Sequence, residues 1–149
     1  MPKFEREVEI DAPVDQVWEV LTDPNQWQYW FPGIESVSEI GSVREGASFK
    51  WMDEGKTGQG SIVKIDVNRR LEVMTQMGDD KDKHEFTLKA SGGFLGLAKD
   101  ECKITYELDT MMGGGIISNF IAGGNPKDAL RVKKAMHALR RLVEGQQAK

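Results

Sequence analysis

The chain has 149 residues, of which 39% are hydrophobic and 30% are charged, and its formal net charge is −4. A domain of this length typically buries about 68–70% of its unfolded-chain surface, so the composition predicts one ordinary globular domain, residues 1–149. No apolar run approaches the roughly 18 residues of a membrane span, and MPKFEREVEI has no apolar secretory core, so we expect neither membrane insertion nor a signal peptide.

The charge is distributed unevenly along the chain. Residues 126–149 contain seven Lys/Arg and two Asp/Glu, a net charge of +5, so residues 1–125 carry −9. A basic segment can indicate nucleic acid or an anionic membrane, but here a helix with a cationic outer face explains it, and we expect no nucleic-acid partner. Cys102 is the single cysteine, which excludes an intramolecular disulfide and favours a reducing, cytoplasmic location.

The N-terminal segment predicts a strand followed by a helix. Residues 3–11 alternate between apolar and charged positions, which is typical of a half-buried strand. From Val14 to Leu21 the apolar residues recur at helical spacing. Pro13 suits the first turn of this helix, and Asp11 is placed to cap it.

Four aromatic side chains fall within five residues of the segment DPNQWQYWFPG, residues 23–33. Prolines and a glycine punctuate this segment, so it is too short for a long helix. A solvent-exposed loop does not normally contain so many large aromatic residues. We therefore expect these four to pack into the interior: Trp27, Tyr29, Trp30 and Phe31.

Several runs of strand character follow, separated by Gly, Asp and Asn turn signals. Strands joined so closely most simply form an antiparallel meander. The runs cover residues 34–40, 47–53, 57–67, 70–77, 83–91 and 99–110.

An amphipathic helix is predicted over residues 126–145. Asn125 can cap it and Pro126 suits its first position. Its apolar stripe includes Met136 and Leu139, while lysines and arginines occupy the opposite side. It is the only element long enough to cover the apolar face of the sheet, so we predict an α+β fold with a curved antiparallel sheet of about seven strands.

This order of elements, with its motifs, resembles the START-like or Bet v 1-like (SRPBCC) superfamily, whose fold is called helix-grip. Within that superfamily it is similar to the polyketide cyclase/dehydrase and lipid-transport family. The resemblance spans essentially the whole chain and implies that two short helices after strand 1 close one end of a cavity. The residues that carry it are IDAPVDQVW (10–18), LTDP (21–24), WFPGI (30–34) and LRRLVE (139–144).

Recognisable catalytic layouts are missing from the sequence. It contains no P-loop, no dinucleotide fingerprint and no GxSxG motif. Two histidines and one cysteine cannot assemble a tetrahedral zinc site without carboxylates. We therefore expect no cofactor and no metal.

Strand phase places a few polar side chains on the apolar face of the sheet. His84, Tyr106 and Asp53 are weak candidates for acid–base chemistry, although a buried tyrosine or histidine often only satisfies its own hydrogen bonds. The glycine-rich segment 111–125 is predicted to be either a mobile cover or a permanently packed helix. The predicted ligand-binding residues are Trp30, Phe49, Trp51, Thr75, Met77, His84, Phe86, Leu88, Tyr106, Phe120, Met136 and Leu139.

Three functions are compatible with this pattern. The first is the binding of a hydrophobic small molecule, such as a lipid, an isoprenoid quinone or a polyketide-like aromatic, between sheet and C-terminal helix. The second is an aromatase/cyclase-type enzyme acting on a polyketone in the same cavity, which the family resemblance implies. The third is a chaperone-type module that binds a protein partner. The sequence does not determine the oligomeric state.

Overall fold

A computed structural model describes residues 3–31, 33–38, 40–41, 43–91, 101–111 and 126–147. Within these ranges the predicted order of elements is confirmed. The elements are β1 (Lys3–Ile10), α1 (Val14–Leu21), α2 (Pro24–Trp30), β2 (Ser36–Ser38), β3 (Ser48–Asp53), β4 (Lys56–Asp66), β5 (Arg70–Met77), β6 (Asp80–Ser91), β7 (Glu101–Met111) and α3 (Pro126–Gln147).

The described strands form one antiparallel sheet in the order β1-β7-β6-β5-β4-β3-β2. The strands from β2 to β7 pair with their sequence neighbours, as the closely spaced turn signals predict, and β1 closes on β7 with Ile10 opposite Cys102. One register irregularity interrupts β4 between Ile62 and Lys64. This arrangement confirms the predicted α+β, helix-grip architecture.

The long helix α3 packs against β1, β7, α1 and α2. Its buried residues include Met136 and Leu139, which follow the predicted apolar stripe, whereas Leu130 lies outside that stripe and is exposed. The helix begins at Pro126, as predicted; its expected cap Asn125 lies outside the described residues. None of the described helices is both long and apolar enough to cross a membrane.

The predicted cap of α1 is wrong. Pro13 occupies the N-cap position and no side chain caps the helix. The backbone N–H of Asp11 instead donates to Glu144 Oε2 at 2.9 Å, which ties the end of β1 to α3. In α2 it is Asp23 that caps, because its Oδ1 accepts a hydrogen bond from the N–H of Asn25 at 3.0 Å.

One carboxylate on the charged face of the sheet is almost completely buried. Glu72 is only 6% exposed, because Arg70 Nη2 lies 2.6 Å and Lys83 Nζ 3.6 Å from its Oε1. Burial acts to raise the pKa of this carboxyl, but the hydrogen bond from Arg70 and the charge of Lys83 outweigh it, and the pKa is lowered. The long basic side chains therefore cover the carboxylate that they neutralise.

Two glycines of β4 lie against aromatic rings of β3. A Cβ on Gly60 would stand 2.4 Å from Cζ of Phe49, and one on Gly58 would stand 2.5 Å from Cε2 of Trp51. Such separations are far inside van der Waals contact. The absence of a side chain at these positions therefore allows both aromatic rings to pack closely against the backbone of β4.

We expect Gly60→Ala to lower the free energy of unfolding by about 1–3 kcal/mol, because the added methyl overpacks the core against Phe49. Urea denaturation followed by tryptophan fluorescence measures this change. Gly145→Ala is the matched control, since a Cβ there meets nothing within 4 Å; it should be neutral or raise stability by up to about 1 kcal/mol. Equal losses in both variants would contradict the packing account.

Candidate functional site

Three polar side chains meet inside the protein on adjacent strands. Thr75 on β5, His84 on β6 and Tyr106 on β7 all point to the side of the sheet that carries the core. Nε2 of His84 lies 2.9 Å from Oγ1 of Thr75, and Nδ1 of His84 lies 2.6 Å from the hydroxyl of Tyr106. We call these three residues the polar trio. Thr75 is 5% exposed, and His84 and Tyr106 are fully buried.

The two hydrogen bonds of His84 determine how the hydroxyls of the trio act. A neutral imidazole has one N–H and one acceptor nitrogen, so one of the two hydroxyls donates to the ring and the other accepts from it. When Nε2 of His84 carries the hydrogen, Oγ1 of Thr75 accepts it. The hydroxyl of Thr75 then keeps its own hydrogen, which it can donate to another oxygen.

His84 is held in its neutral form. Burial, and to a smaller extent the nearby positive charge of Arg131, lower its pKa from the ordinary value to about 3. At neutral pH the side chain is thus an uncharged hydrogen-bonding group. A charged imidazolium at this position would lack both solvent and an anionic partner among the described residues that contact it.

Aromatic rings surround the polar trio. The ring of Phe31 lies 4.7 Å from that of His84, and the ring of Phe86 stacks on that of Tyr106 at 4.5 Å. Trp30 meets Phe86 edge-on at 5.3 Å. The trio is therefore a small polar island in an aromatic interior, where an unpaired polar group would be unfavourable.

A charged group lies next to this island. Arg131 on α3 reaches Asp82 on β6, with 3.5 Å between Nη2 and Oδ2. Asp53, at the end of β3, has a raised pKa because of its burial and the nearby charges of Glu54 and Glu35, which Arg131 partly opposes. Arg131 thus acts electrostatically on both Asp53 and His84.

An open groove of about 260 Å³ lies along the contact between α2 and α3. Phe31 borders it and also contacts His84, so a single aromatic ring separates the groove from the polar trio. The other lining residues are Gln28, Tyr29, Trp30, Gly33, Arg131, Lys134, Ala135 and Ala138.

Most predicted ligand-binding residues lie in the core. Thr75, His84 and Tyr106 come together directly, and Met77 is only partly buried at the end of β5. Phe120 and most of the predicted cover 111–125 lie outside the described residues. The remaining predicted residues are all buried: Trp30, Phe49, Trp51, Phe86, Leu88, Met136 and Leu139.

Two residues singled out in the sequence lie at the surface side of the fold. Asp53 ends β3 next to a turn, since Glu54 and Gly55 follow it with φ values of 51° and 78°. Tyr29 was expected inside with the other aromatics, and this is wrong, because it is 62% exposed. Its neighbours Trp27 and Trp30 occupy the buried face of α2.

Sequence reasoning missed Asp82 and the position of Arg131. Asp82 shares the strand phase of His84 and Phe86, but the predicted strand started at residue 83, whereas β6 begins at Asp80. Helical periodicity places Arg131 at the border between the apolar stripe of α3 and its charged side, which does not show that it reaches Asp82. Phase alone would have placed Asp82 inside once the strand was extended, and a buried aspartate predicts a cationic partner.

The sheet order, the long helix packed across it and the two short helices after β1 define a helix-grip protein of the SRPBCC superfamily. The chain belongs to the polyketide cyclase/dehydrase and lipid transport family, whose model matches residues 1–144. Membership of this family supports a module that binds hydrophobic ligands. No curated protein sequence gives a significant match.

Solved structures share the fold at low sequence identity. Protein MLL2253 from Mesorhizobium loti matches with a TM-score of 0.73 and 14% identity over 95% of this chain and 96% of that one. A norcoclaurine synthase point mutant from Thalictrum flavum, in complex with a transition-state analogue, matches with a TM-score of 0.66 and 14% identity. The match covers 97% of this chain and 95% of that one. The Aha1 dimer from Colwellia psychrerythraea matches with a TM-score of 0.63 and 12% identity over 97% of each chain. These identities show the fold alone.

Proposed function

We propose that the protein binds a hydrophobic small molecule, of the lipid, isoprenoid quinone or polyketide-like class, between the sheet and α3. The observation that carries this proposal is the polar trio, three hydrogen-bonding side chains in an otherwise aromatic interior. Ligand sites are typically apolar with a few convergent polar groups. Family membership supports the same conclusion.

The polar trio would recognise an acceptor oxygen on the ligand. The O–H of Thr75 can donate to a carbonyl, as in a quinone or a polyketone, while Phe31 and Phe86, whose rings lie against His84 and Tyr106, would contact the flat apolar part. Aromatic walls favour a planar ligand, because offset stacking and edge contacts add to the burial of area. This ligand chemistry is common to the first two functions predicted from the sequence.

The electrostatics of His84 favour binding over catalysis. A general acid or base works best when its pKa is near the working pH, and the pKa of His84 is about 3. His84 would therefore neither carry a proton to donate nor be a strong base at neutral pH. An aromatase/cyclase-type enzyme remains the second candidate, because the Tyr106 hydroxyl, 2.6 Å from Nδ1 of His84, is placed to protonate an enolate oxygen.

Native mass spectrometry of the freshly purified protein is the experiment that tests the binding function. We expect a discrete bound mass that is released on denaturation, with the composition of a hydrophobic small molecule. Adding a quinone such as menadione to the protein should produce a one-to-one complex. An apo mass both before and after such additions would count against a hydrophobic-ligand protein.

Replacing Tyr106 by phenylalanine should separate the two candidate functions. We expect a loss of about 1–3 kcal/mol in the free energy of unfolding, because a hydrogen bond to buried His84 is removed, and weaker binding of menadione. Tyr29→Phe is the matched control, since this tyrosine is 62% exposed and should change neither quantity. If Tyr106→Phe abolished turnover of a polyketone while its binding persisted, the result would favour the aromatase/cyclase-type enzyme over a protein that only binds the ligand.

A further inference from the structure

The groove between α2 and α3 has features that the polar trio does not explain. Ala135 and Ala138 form its side on α3, and their small side chains leave the space open. On the opposite side Tyr29 is 62% exposed, which is unusual for so large an aromatic residue. The groove is therefore a concave surface with an aromatic edge that remains solvent-accessible.

A buried hydrogen-bond donor lies beside this groove without a partner. Trp30 is 3% exposed and borders the groove, and its indole Nε1–H finds no acceptor in the part of the chain that the structure describes. By contrast, Nε1 of Trp27 donates to the carbonyl of Leu21 at 2.8 Å, and Nε1 of Trp51 donates to that of Gln59 at 3.0 Å. Buried donors are nearly always satisfied, so the Trp30 N–H indicates a missing acceptor.

The charge of the groove is positive. Among the described residues, its lining contains Arg131 and Lys134 and no carboxylate. Arg131 also interacts with Asp82, which offsets part of its charge, whereas Lys134 makes no salt bridge within the described ranges. Guanidinium and ammonium groups on an aromatic surface, next to an N–H donor, match the two oxygens of a carboxylate.

We propose that this groove binds the carboxylate of an amphiphilic ligand, with Lys134 and Arg131 as its cations and Trp30 Nε1 as its hydrogen-bond donor. The proposal rests on the proposed function and narrows its ligand class to hydrophobic molecules that end in a carboxylate. Phe31 connects the two sites, because its ring borders the groove and contacts His84. A chain or ring system held at the groove by its carboxylate reaches the aromatic interior past this side chain.

Decanoate and 1-decanol, used below their solubility limits, provide matched anionic and neutral probes. By isothermal titration calorimetry we expect the intact protein to bind decanoate about 10-fold more tightly than decanol. Lys134→Gln should weaken the binding of decanoate about 3- to 10-fold and leave the affinity for decanol unchanged. Lys133→Gln is the control, because Lys133 is also exposed on α3 but borders a different groove, next to Phe4 and Arg6. This control variant should leave the affinity for both probes unchanged.

Two further measurements test the groove itself. Trp30→Phe keeps the ring near Phe86 but removes the N–H, so it should reduce the preference for decanoate over decanol. Ala138→Leu should fill the groove and abolish that preference while the protein stays folded. Equal affinity for the two probes, or equal effects of Lys134→Gln and Lys133→Gln, would contradict the proposed carboxylate site. Either result would leave the proposed binding of a hydrophobic ligand in place. Failure of both probes to bind at all would count against the hydrophobic-ligand function as well.

Discussion

Replacing Trp27 by alanine should lower the free energy of unfolding by about 3–5 kcal/mol, in the range expected for a large core aromatic. Trp27 is completely buried and its ring meets those of Phe31 and Phe49 at 5.2 and 5.3 Å. Its Nε1 also donates to the carbonyl of Leu21, which fixes the connection between α1 and α2. The variant loses ring packing and leaves that buried carbonyl without its donor, so both terms act in the same direction.

Tyr29→Ala is the control for this prediction, because Tyr29 lies in the same seven-residue helix but is mostly exposed. It should change the free energy of unfolding by no more than about 0.5 kcal/mol. Urea titrations monitored by far-UV circular dichroism avoid the change in fluorescence that removal of a tryptophan causes. Similar losses in the two variants would mean that α2 does not present distinct buried and exposed faces.

The contrast between these two residues shows what the sequence predicts and what it leaves open. Its composition predicted that aromatics in residues 23–33 would be buried, which holds for Trp27, Trp30 and Phe31. Sorting Tyr29 from the others required knowing that Pro24–Trp30 is helical, because only then does a rotation of about 100° per residue turn Tyr29 away from Trp27. A helix of this length gives little periodic signal of its own.

The fold was accessible from the sequence because its signals are local. Turn residues and alternating apolar positions occur within a few residues of each other, and they locate a meander of strands and the start of α3. The pattern failed at Asp11, which ties β1 to Glu144 through its backbone rather than capping α1. That contact joins residues 133 positions apart, so no local signal encodes it.

The site was accessible only in part, for a related reason. Strand phase put Thr75, His84 and Tyr106 on one face, but a meeting of the three depends on the register of β5, β6 and β7. His84 pairs with Val73 and Leu108, so its two hydrogen-bond partners lie diagonally across the sheet. Register is set by turns and bulges, and twist brings the diagonal neighbours together, which periodicity alone does not specify.

Acidification should destabilise the protein through His84. In the unfolded chain this histidine takes up a proton near its ordinary pKa of about 6.5, whereas in the folded protein the pKa is about 3. Its contribution to stability is therefore complete above pH ~6.5 and is lost as the pH falls toward ~3. Between these limits the free energy of unfolding should fall by about 1.4 kcal/mol per pH unit from this group alone.

Comparison with His84→Gln isolates this effect from the titration of carboxylates, which both proteins share. Urea titrations at pH ~7 and ~4.5 should give the intact protein an additional loss of about 3 kcal/mol relative to the variant. His137→Gln is the control, because His137 is partly exposed on α3 and its lowered pKa arises from slight burial and the charges of Arg140, Arg6 and Lys133. Its removal should change the pH dependence less than removal of His84. Parallel pH profiles for the intact protein and His84→Gln would mean that folding does not lower the pKa of His84, so that this side chain takes up its proton inside the fold near pH ~6.5. Below that pH a positive charge would lie in the aromatic interior, and recognition there would favour an anion over a carbonyl.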